Sequence, residues 1–399
     1  MGNGSLPRAG NFATLRPVIV TMKQVALLIE TSNAYARGLL RGVVAYLREH
    51  EPWSLHLAEH GRGDRPPPWL ATWRGDGILA RIETPAMARV LKRLKVPIVD
   101  VSAARLLPAL PWFETDDSAI AQMAFEHLRD QGFRHFAYCG DTRFNWSNWR
   151  GEHFQRAVAA EGEDCHVYQP ARRFRPDDAA QSDDLVRWLR KLPKPIGIMA
   201  CYDLHGRLLL DACRRAAIAV PDEVAVISVD NDEVLCELSH PPLSSVIPNT
   251  HRTGYEAAAL LDELMAGREL RAETRLVPPV GVAARQSTSA LAIEDRRTAL
   301  AVRFIREHAC SGINVADVLK AVPQARRLLE SRFRRLLGRT PHEEILRVQL
   351  DRVKQLLVET DLPLAEIAER AGFAHVEYLS VVFKRETGIP PSAFRRANQ

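Results

Sequence analysis

The 399-residue sequence is poor in the features that mark several large classes of protein. Its six cysteines (Cys139, Cys165, Cys201, Cys213, Cys236, Cys310) are scattered, with no C-x-x-C and no histidine at zinc-finger spacing. That excludes a disulfide framework and a structural zinc site, and it matches the reduced core thiols of a cytoplasmic protein. No apolar run approaches the roughly 20 residues needed to cross a bilayer, so no membrane partner is expected. The first 21 residues hold Gly, Asn and Pro without a continuous apolar stretch. The sequence therefore predicts neither leader nor anchor, and a disordered segment over 1–22. There is no phosphate-cradling glycine loop, metal-ligand cluster or nucleophile elbow. A sugar-processing enzyme is accordingly the weaker alternative, and neither cofactor nor metal is expected.

A large charge of one sign is missing too. The totals of 54 Lys+Arg and 49 Asp+Glu give a net +5. The stretch Leu291–Gln399 carries 19 and 14 of these, which leaves 35 of each sign in residues 1–290. The whole basic surplus lies at the C-terminal end, where a polyanion would bind.

What is present describes an ordinary globular chain, 46% hydrophobic and 26% charged, long enough for two or three domains. Gln24–Glu30 is a short apolar run that suits a strand buried on both faces, and strand-like runs recur at Trp53–Ala58, Gly77–Arg81, Pro97–Val101, His135–Cys139, Ile196–Cys201 and Val224–Val229. Helical patterns alternate with them, including the helix of Leu39, Leu40, Val43, Val44 and Leu47 and those over Pro85–Leu94, Ser118–Asp130, Gly151–Glu161, Asp183–Leu192 and Leu204–Ala217. This alternation predicts parallel, doubly wound sheets, and the number of elements predicts two α/β lobes with a cleft between them.

Ligands of such sheets bind beyond the carboxyl ends of strands. The residues there are Glu30, Asn33 and Arg37 after the first strand, and Asp141 with a loop Arg143–Arg150 carrying Trp146, Trp149 and Arg150. Asp203 and Asp230 follow two later strands. Carboxylates, Asn and Arg beside aromatic faces suit a small sugar, whose hydroxyls need donors and acceptors and whose C–H face stacks on a ring. Asp203 and Asp230 are also placed to cap helices, a role that can coexist with ligand binding, and the tryptophans to pack the lobes.

The C-terminal part reads as helices. Asn314 is placed to cap Val315–Val322, and Pro323–Gly338 forms a helix-turn-helix unit with it, about 315–338. A linking helix spans Pro341–Val358, and a second unit spans 364–388, broken at Gly372. In that unit Tyr378, Leu379, Val382 and Phe383 share the apolar side of the last helix. Two such units on one linker suit two successive major grooves of double-stranded operator DNA. The base-facing positions are Arg326, Arg327, Glu330 and Ser331 in the first unit, and His375, Val376, Glu377, Ser380 and Val381 in the second. Arg334, Arg335, Lys384, Arg385 and Arg395 are placed for phosphates.

Residues 24–288 resemble the sugar-binding core of LacI/GalR-type repressors, which is similar to the type I periplasmic sugar-binding proteins. The matching pieces are Thr115-Asp116-Asp117, Trp149-Arg150, Asp203, Val224–Asn231, Pro242–Val246 and Val280–Thr288. The resemblance implies that Arg150, Asp203 and Asp230 face the ligand, in a cleft that closes on it. The signature Ile367-Ala-x-x-x-Gly-Phe373, Tyr378-Leu-x-x-x-Phe-Lys384, Gly388-x-x-Pro391-x-x-Phe-Arg395 resembles AraC/XylS-type DNA-binding domains. Pro323 and Ala325 depart from that pattern, and Ala325 offers no capping oxygen. A sugar core (23–290) placed before such a domain (291–399), with Asp230-Asn231, a strand over Leu276–Val280, Ile305–Cys310 and Val318-Leu319, is similar to the bacterial xylose-operon activators. The resemblance implies a cytoplasmic, homodimeric transcription activator that answers to D-xylose and works with RNA polymerase. The same architecture sensing another sugar or a non-sugar stays open.

Overall fold

A computed structural model describes residues 22–59, 61, 63–168, 179–268, 274–289 and 295–398. The segment expected to be disordered, 1–22, lies outside the described residues except for Met22, as does the expected domain boundary at 290/291.

The first lobe is built from β1 (Gln24–Leu28), α1 (Ala34–Glu49), β2 (Ser54–Leu57), β3 (Gly77–Ala80), α2 (Pro85–Leu91), β4 (Ile98–Asp100) and β5 (Trp112–Thr115). The chain then crosses into a second lobe. Its elements are α3 (Asp117–Asp130), β6 (His135–Cys139), α4 (Asn145–Ala160), β7 (Cys165–Tyr168), α5 (Ala179–Lys191), β8 (Ile196–Ala200), α6 (Asp203–Ala216), β9 (Val224–Val229), α7 (Glu233–Leu238) and β10 (Ser244–Ile247). It returns to the first lobe for α8 (Thr250–Met265) and β11 (Thr274–Val277), and goes back to the second for β12 (Gly281–Ala283). The two sheets run β11-β5-β4-β3-β1-β2 and β12-β10-β9-β8-β6-β7. Every described pairing is parallel except that of β12 with β10. Hydrophobic layers cover both faces of each sheet, which is why the central strands read as unbroken apolar runs.

Three sequence expectations shift. The Arg143–Arg150 stretch is a loop only as far as Phe144. α4 starts at Asn145, because Trp146, Arg150 and Phe154 recur every four residues and are buried on one side of it. The strand expected at Leu276–Val280 ends at Val277, where Pro278 and Pro279 cannot donate to a ladder. Val44, expected on the core face of α1, is exposed.

The C-terminal helices are α9 (Arg296–His308), α10 (Val315–Ala321), α11 (Arg326–Leu337), α12 (Pro341–Glu359), α13 (Leu364–Arg370), α14 (Val376–Thr387) and α15 (Pro391–Asn398). Asn314 and Asp317 close a capping box on α10, and Thr340 and Glu343 close another on α12. α12 serves two cores. Ile345 packs with Leu329 and Phe333 of α11. Leu346, Leu350, Val353 and Leu357 pack with Ile367, Leu379 and Phe383 of the second unit. Gly372 takes φ +78 between α13 and α14, where a Cβ would meet the Ala309 carbonyl oxygen at 2.7 Å. Gln349, on α12, donates to the carbonyls of Ala309 and Gly372, both at 3.0 Å, and so fixes that turn.

Candidate effector cleft and DNA-reading helices

Between the lobes lies a cleft enclosing about 370 Å³ of space, part of it open to solvent. Tyr35, Arg81, Val101, Ala103, Glu114 and Thr115 line it from the first lobe, and Trp146, Arg150 and Asp230 from the second. The first set sits at the start of α1 and at the ends of β3, β4 and β5, and the second on α4 and just after β9.

The walls are charged, and the charges are braced. Arg81 donates to Glu30 at 2.8 Å and also to Glu83. Burial works against the Arg81 charge, and Glu83 and Glu30 outweigh it, so the guanidinium is held firmly protonated. Arg150 is treated alike: burial disfavours its charge, and Asp117 and Asp230 restore it. Its Nε donates to Asp117 at 2.8 Å. Burial, then nearby Asp117, pushes the Glu114 carboxyl up to about 7 against the pull of Arg105. Burial also raises the Tyr35 phenol, which stays a neutral hydroxyl. Asp230 and Asn231 take left-handed backbone, φ +106 and +48, at the tight exit from β9.

Two buried polar atoms on this wall, Arg81 Nε and Glu114 Oε1, have no hydrogen-bond partner among the described residues. Each such group costs roughly 1–3 kcal/mol. One is a donor and the other an acceptor, and a ligand hydroxyl can meet either need.

Of the residues expected at the effector site, Trp146, Arg150 and Asp230 line the cavity, and the other five take supporting positions. Glu30 braces Arg81. Asn33 caps α1, accepting from Ala36 N at 2.8 Å. Arg37 approaches Asp232 across the lobes at 3.8 Å. Trp149 stacks on the Arg105 guanidinium, whose carbon lies 4.1 Å from the ring centre. Asp203, expected to face the ligand, is buried behind the wall and does not line it. Its carboxylate accepts from Ser228 Oγ, Ser245 Oγ (2.7 Å) and Asp232 N (2.6 Å), and so fixes the loop that presents Asp230. Burial, then Asp230, raises that carboxyl to about 7. Asp141 is ion-paired to Arg143 at 2.6 Å, away from the cavity lining. Tyr35, Arg81, Glu114 and Thr115 were missed. The strand-end rule reaches Arg81 directly, and it reaches Glu114 once the four-residue β5 is seen.

On α11, Arg326, Arg327, Ser331, Arg334 and Arg335 are exposed and Glu330 is half-buried, with Arg326 paired to Glu330 at 2.9 Å. Ala325 precedes the helix without a side-chain cap, and buried Leu329 and Phe333 hold it in place. His375, which precedes α14, and Glu377, Val381, Lys384 and Arg385 on it are exposed. Val376 and Ser380 are half-buried, and the Ser380 hydroxyl donates to the Val376 carbonyl at 3.0 Å. Tyr378, expected on the apolar side, is 49% exposed, because Leu379, Val382 and Phe383 already fill the side facing α12 and α13. Arg395 donates to the Leu362 carbonyl at 2.6 Å, a structural bond within the domain.

Residues 24–118 match the family described as XylR N-terminal domain, 125–288 a periplasmic binding protein-like domain, and 318–397 a helix-turn-helix domain. The chain is 33% identical to the xylose operon regulatory protein of Escherichia coli K12 over 94% of its own length and 97% of the relative's. The chain belongs to the xylose operon regulator family. The Haemophilus influenzae member is 31% identical, over 93% of this chain and 98% of the relative. A solved structure described as the xylose-binding transcription activator xylR superposes with a TM-score of 0.62 at 32% identity, covering 95% of this chain and 99% of that one. A LacI-type regulator from Alkaliphilus metalliredigens, at 19% identity and TM-score 0.55 over 67% of this chain, shares the two-lobed fold. Members of the xylose operon regulator family are DNA-binding transcriptional regulators with a sugar-type effector domain, not enzymes. No described helix is long and apolar enough to cross a membrane, and no described cluster of His, Cys, Asp and Glu could hold a metal ion.

Proposed function

We propose that the cleft binds D-xylose and that binding switches the chain as an activator at a sugar-catabolic operator. The donor Arg81 Nε and the acceptor Glu114 Oε1, buried in the wall without partners among the described residues, carry this reading. A polyol satisfies both kinds of group while Trp146 takes its apolar face. Tyr35, Arg81, Glu114, Trp146, Arg150 and Asp230 are the ligand contacts, with Glu30, Asn33, Arg37, Trp149 and Asp203 in support. The choice of xylose follows the similarity to a xylose operon regulatory protein and to a xylose-binding transcription activator.

Residues 23–290 form the sensor and 291–399 the DNA-binding domain. Arg326, Arg327, Glu330, Ser331, His375, Val376, Glu377, Ser380 and Val381 read bases, and Arg334, Arg335, Lys384 and Arg385 hold phosphates. The chain works in the cytoplasm as a homodimer beside RNA polymerase. The sugar favours the lobe arrangement it binds better, and that preference is the energy source of the switch.

A thermal-shift screen of pentoses and hexoses tests the reading. D-xylose at about 100 times its Kd should stabilise the fold by roughly 3 kcal/mol, and Asp230→Ala should abolish the shift. If no sugar shifts the wild type, the effector assignment fails, and a larger shift from another sugar replaces xylose.

A further inference from the structure

One element touches both ends of the molecule. α3 begins at the cleft, where Asp117, its first residue, holds the cavity-lining Arg150 through contacts at 2.7 and 2.8 Å. α3 also starts immediately after one of the strand-to-lobe crossings, between β5 and the second lobe. A rotation between the lobes therefore acts on α3 at its root.

The other end of α3 is gripped by the DNA-binding domain. Arg306 of α9 donates to the Asp130 carbonyl at 2.9 Å and to the Gln131 side chain. Arg339, just before α12, donates to the Asp130 carboxylate at 2.8 Å. Both arginines also bind Glu344 of α12, at 3.1 and 2.6 Å, and the Glu344 side chain is fully buried. Arg347 pairs with the same glutamate at 3.0 Å. Cations at the carbonyl end of a helix are favoured by its dipole as well as by Asp130. The joint is thus charge-assisted at every bond, enclosed, and directional in a way that an apolar contact is not.

We propose that α3 carries the state of the sugar cleft to the DNA-binding domain through the Asp130–Arg306–Arg339 joint. This rests on the sugar-responsive reading above. Sugar contact at Arg150 sets Asp117, α3 moves with the second lobe, and Asp130 takes α9 and α12 with it. Because α12 is the shared core of both helix-turn-helix units, moving α12 moves the two readers together.

The test uses the full chain and a fluorescent duplex selected by the wild type from random sequence in the presence of D-xylose. Operator affinity is measured by anisotropy with and without D-xylose, and sugar affinity by calorimetry. Asp130→Ala, which suits a helix, should bind D-xylose within about threefold of wild type. Its sugar-dependent change in operator affinity should shrink at least tenfold, and Asp130→Glu should restore most of it. A wild-type response retained in Asp130→Ala overturns the joint alone. Loss of sugar binding together with the response overturns it too, because the contact would then be holding the sensor together. A wild type whose DNA binding ignores every sugar overturns the regulatory reading and the joint with it.

Discussion

Glu344 of the DNA-binding domain is a buried carboxylate held by Arg306, Arg339 and Arg347. Burial alone would raise its pKa, but the three arginines outweigh it and hold the carboxyl at about 2. That is below its unfolded value, so the group adds stability that is fully present above about pH 4.5 and lost as pH falls toward 2. Glu344→Gln leaves the three cations facing a neutral amide. It should cost about 3–5 kcal/mol in urea melts at pH 7 and flatten the acid limb of the stability profile. Residue-level roles in the cleft were only partly legible in the sequence. Trp146, Arg150 and Asp230 follow strands and reach the cavity. Asp203 follows a strand just as clearly, yet Ser228, Ser245 and the Asp232 amide use up its oxygens. A position in sequence places a carboxylate near a cleft. Which way it points is decided by partners tens of residues away.

At the scale of elements, α1 and α8 cross with their backbones nearly touching. A Cβ on Gly42 would lie 2.0 Å from the His251 carbonyl oxygen, and one on Gly254 would lie 2.0 Å from that of Leu39. Neither obstacle is a side chain that can swing away. Gly42→Ala and Gly254→Ala should each lower the sensor's stability by more than the roughly 1–3 kcal/mol of ordinary overpacking, read as a fall in Tm, while D-xylose binding falls in parallel. Glycines inside helical patterns carry no such message in the sequence, where they read as weak spots. α11 shows the converse. The missing cap at Ala325 was legible, and Ala325→Ser should add about 1 kcal/mol and tighten operator binding without changing its sequence preference. The short strands β5, β7, β10 and β12 were not legible as strands. β2, β3 and β4 are equally short and were legible, so length is not the reason; pairing with sheet neighbours is what makes these four extended.

Over the whole molecule, the lobes are drawn together by contacts outside the sugar site. Arg105 is held at φ +50 between Trp112 of the first lobe and Trp149 of the second, with its carbon 4.1 Å from each ring centre. It also pairs with Glu114 at 2.8 Å, and Asn145 of the second lobe donates to the Ala104 carbonyl beside it at 3.3 Å. A cation between two rings contributes on the order of 1–2 kcal/mol. Arg105→Ala should therefore weaken D-xylose binding by roughly tenfold in calorimetry, mainly through faster release, although Arg105 is not itself part of the cavity lining. The order of lobes, crossings and C-terminal helices was legible from alternating patterns and motif order. The closure was not, because its parts lie far apart in sequence and meet only across the cleft. α3 has 14 residues and so is about 21 Å long. Pivoted at its Asp117 end, it is a lever: a turn of about 10° displaces the Asp130 end by close to 4 Å, on the scale of the hinge motions that switch proteins. Because Ile120, Ala124, Phe125 and Leu128 lock α3 into the core of the second lobe, the lever turns only when that lobe turns.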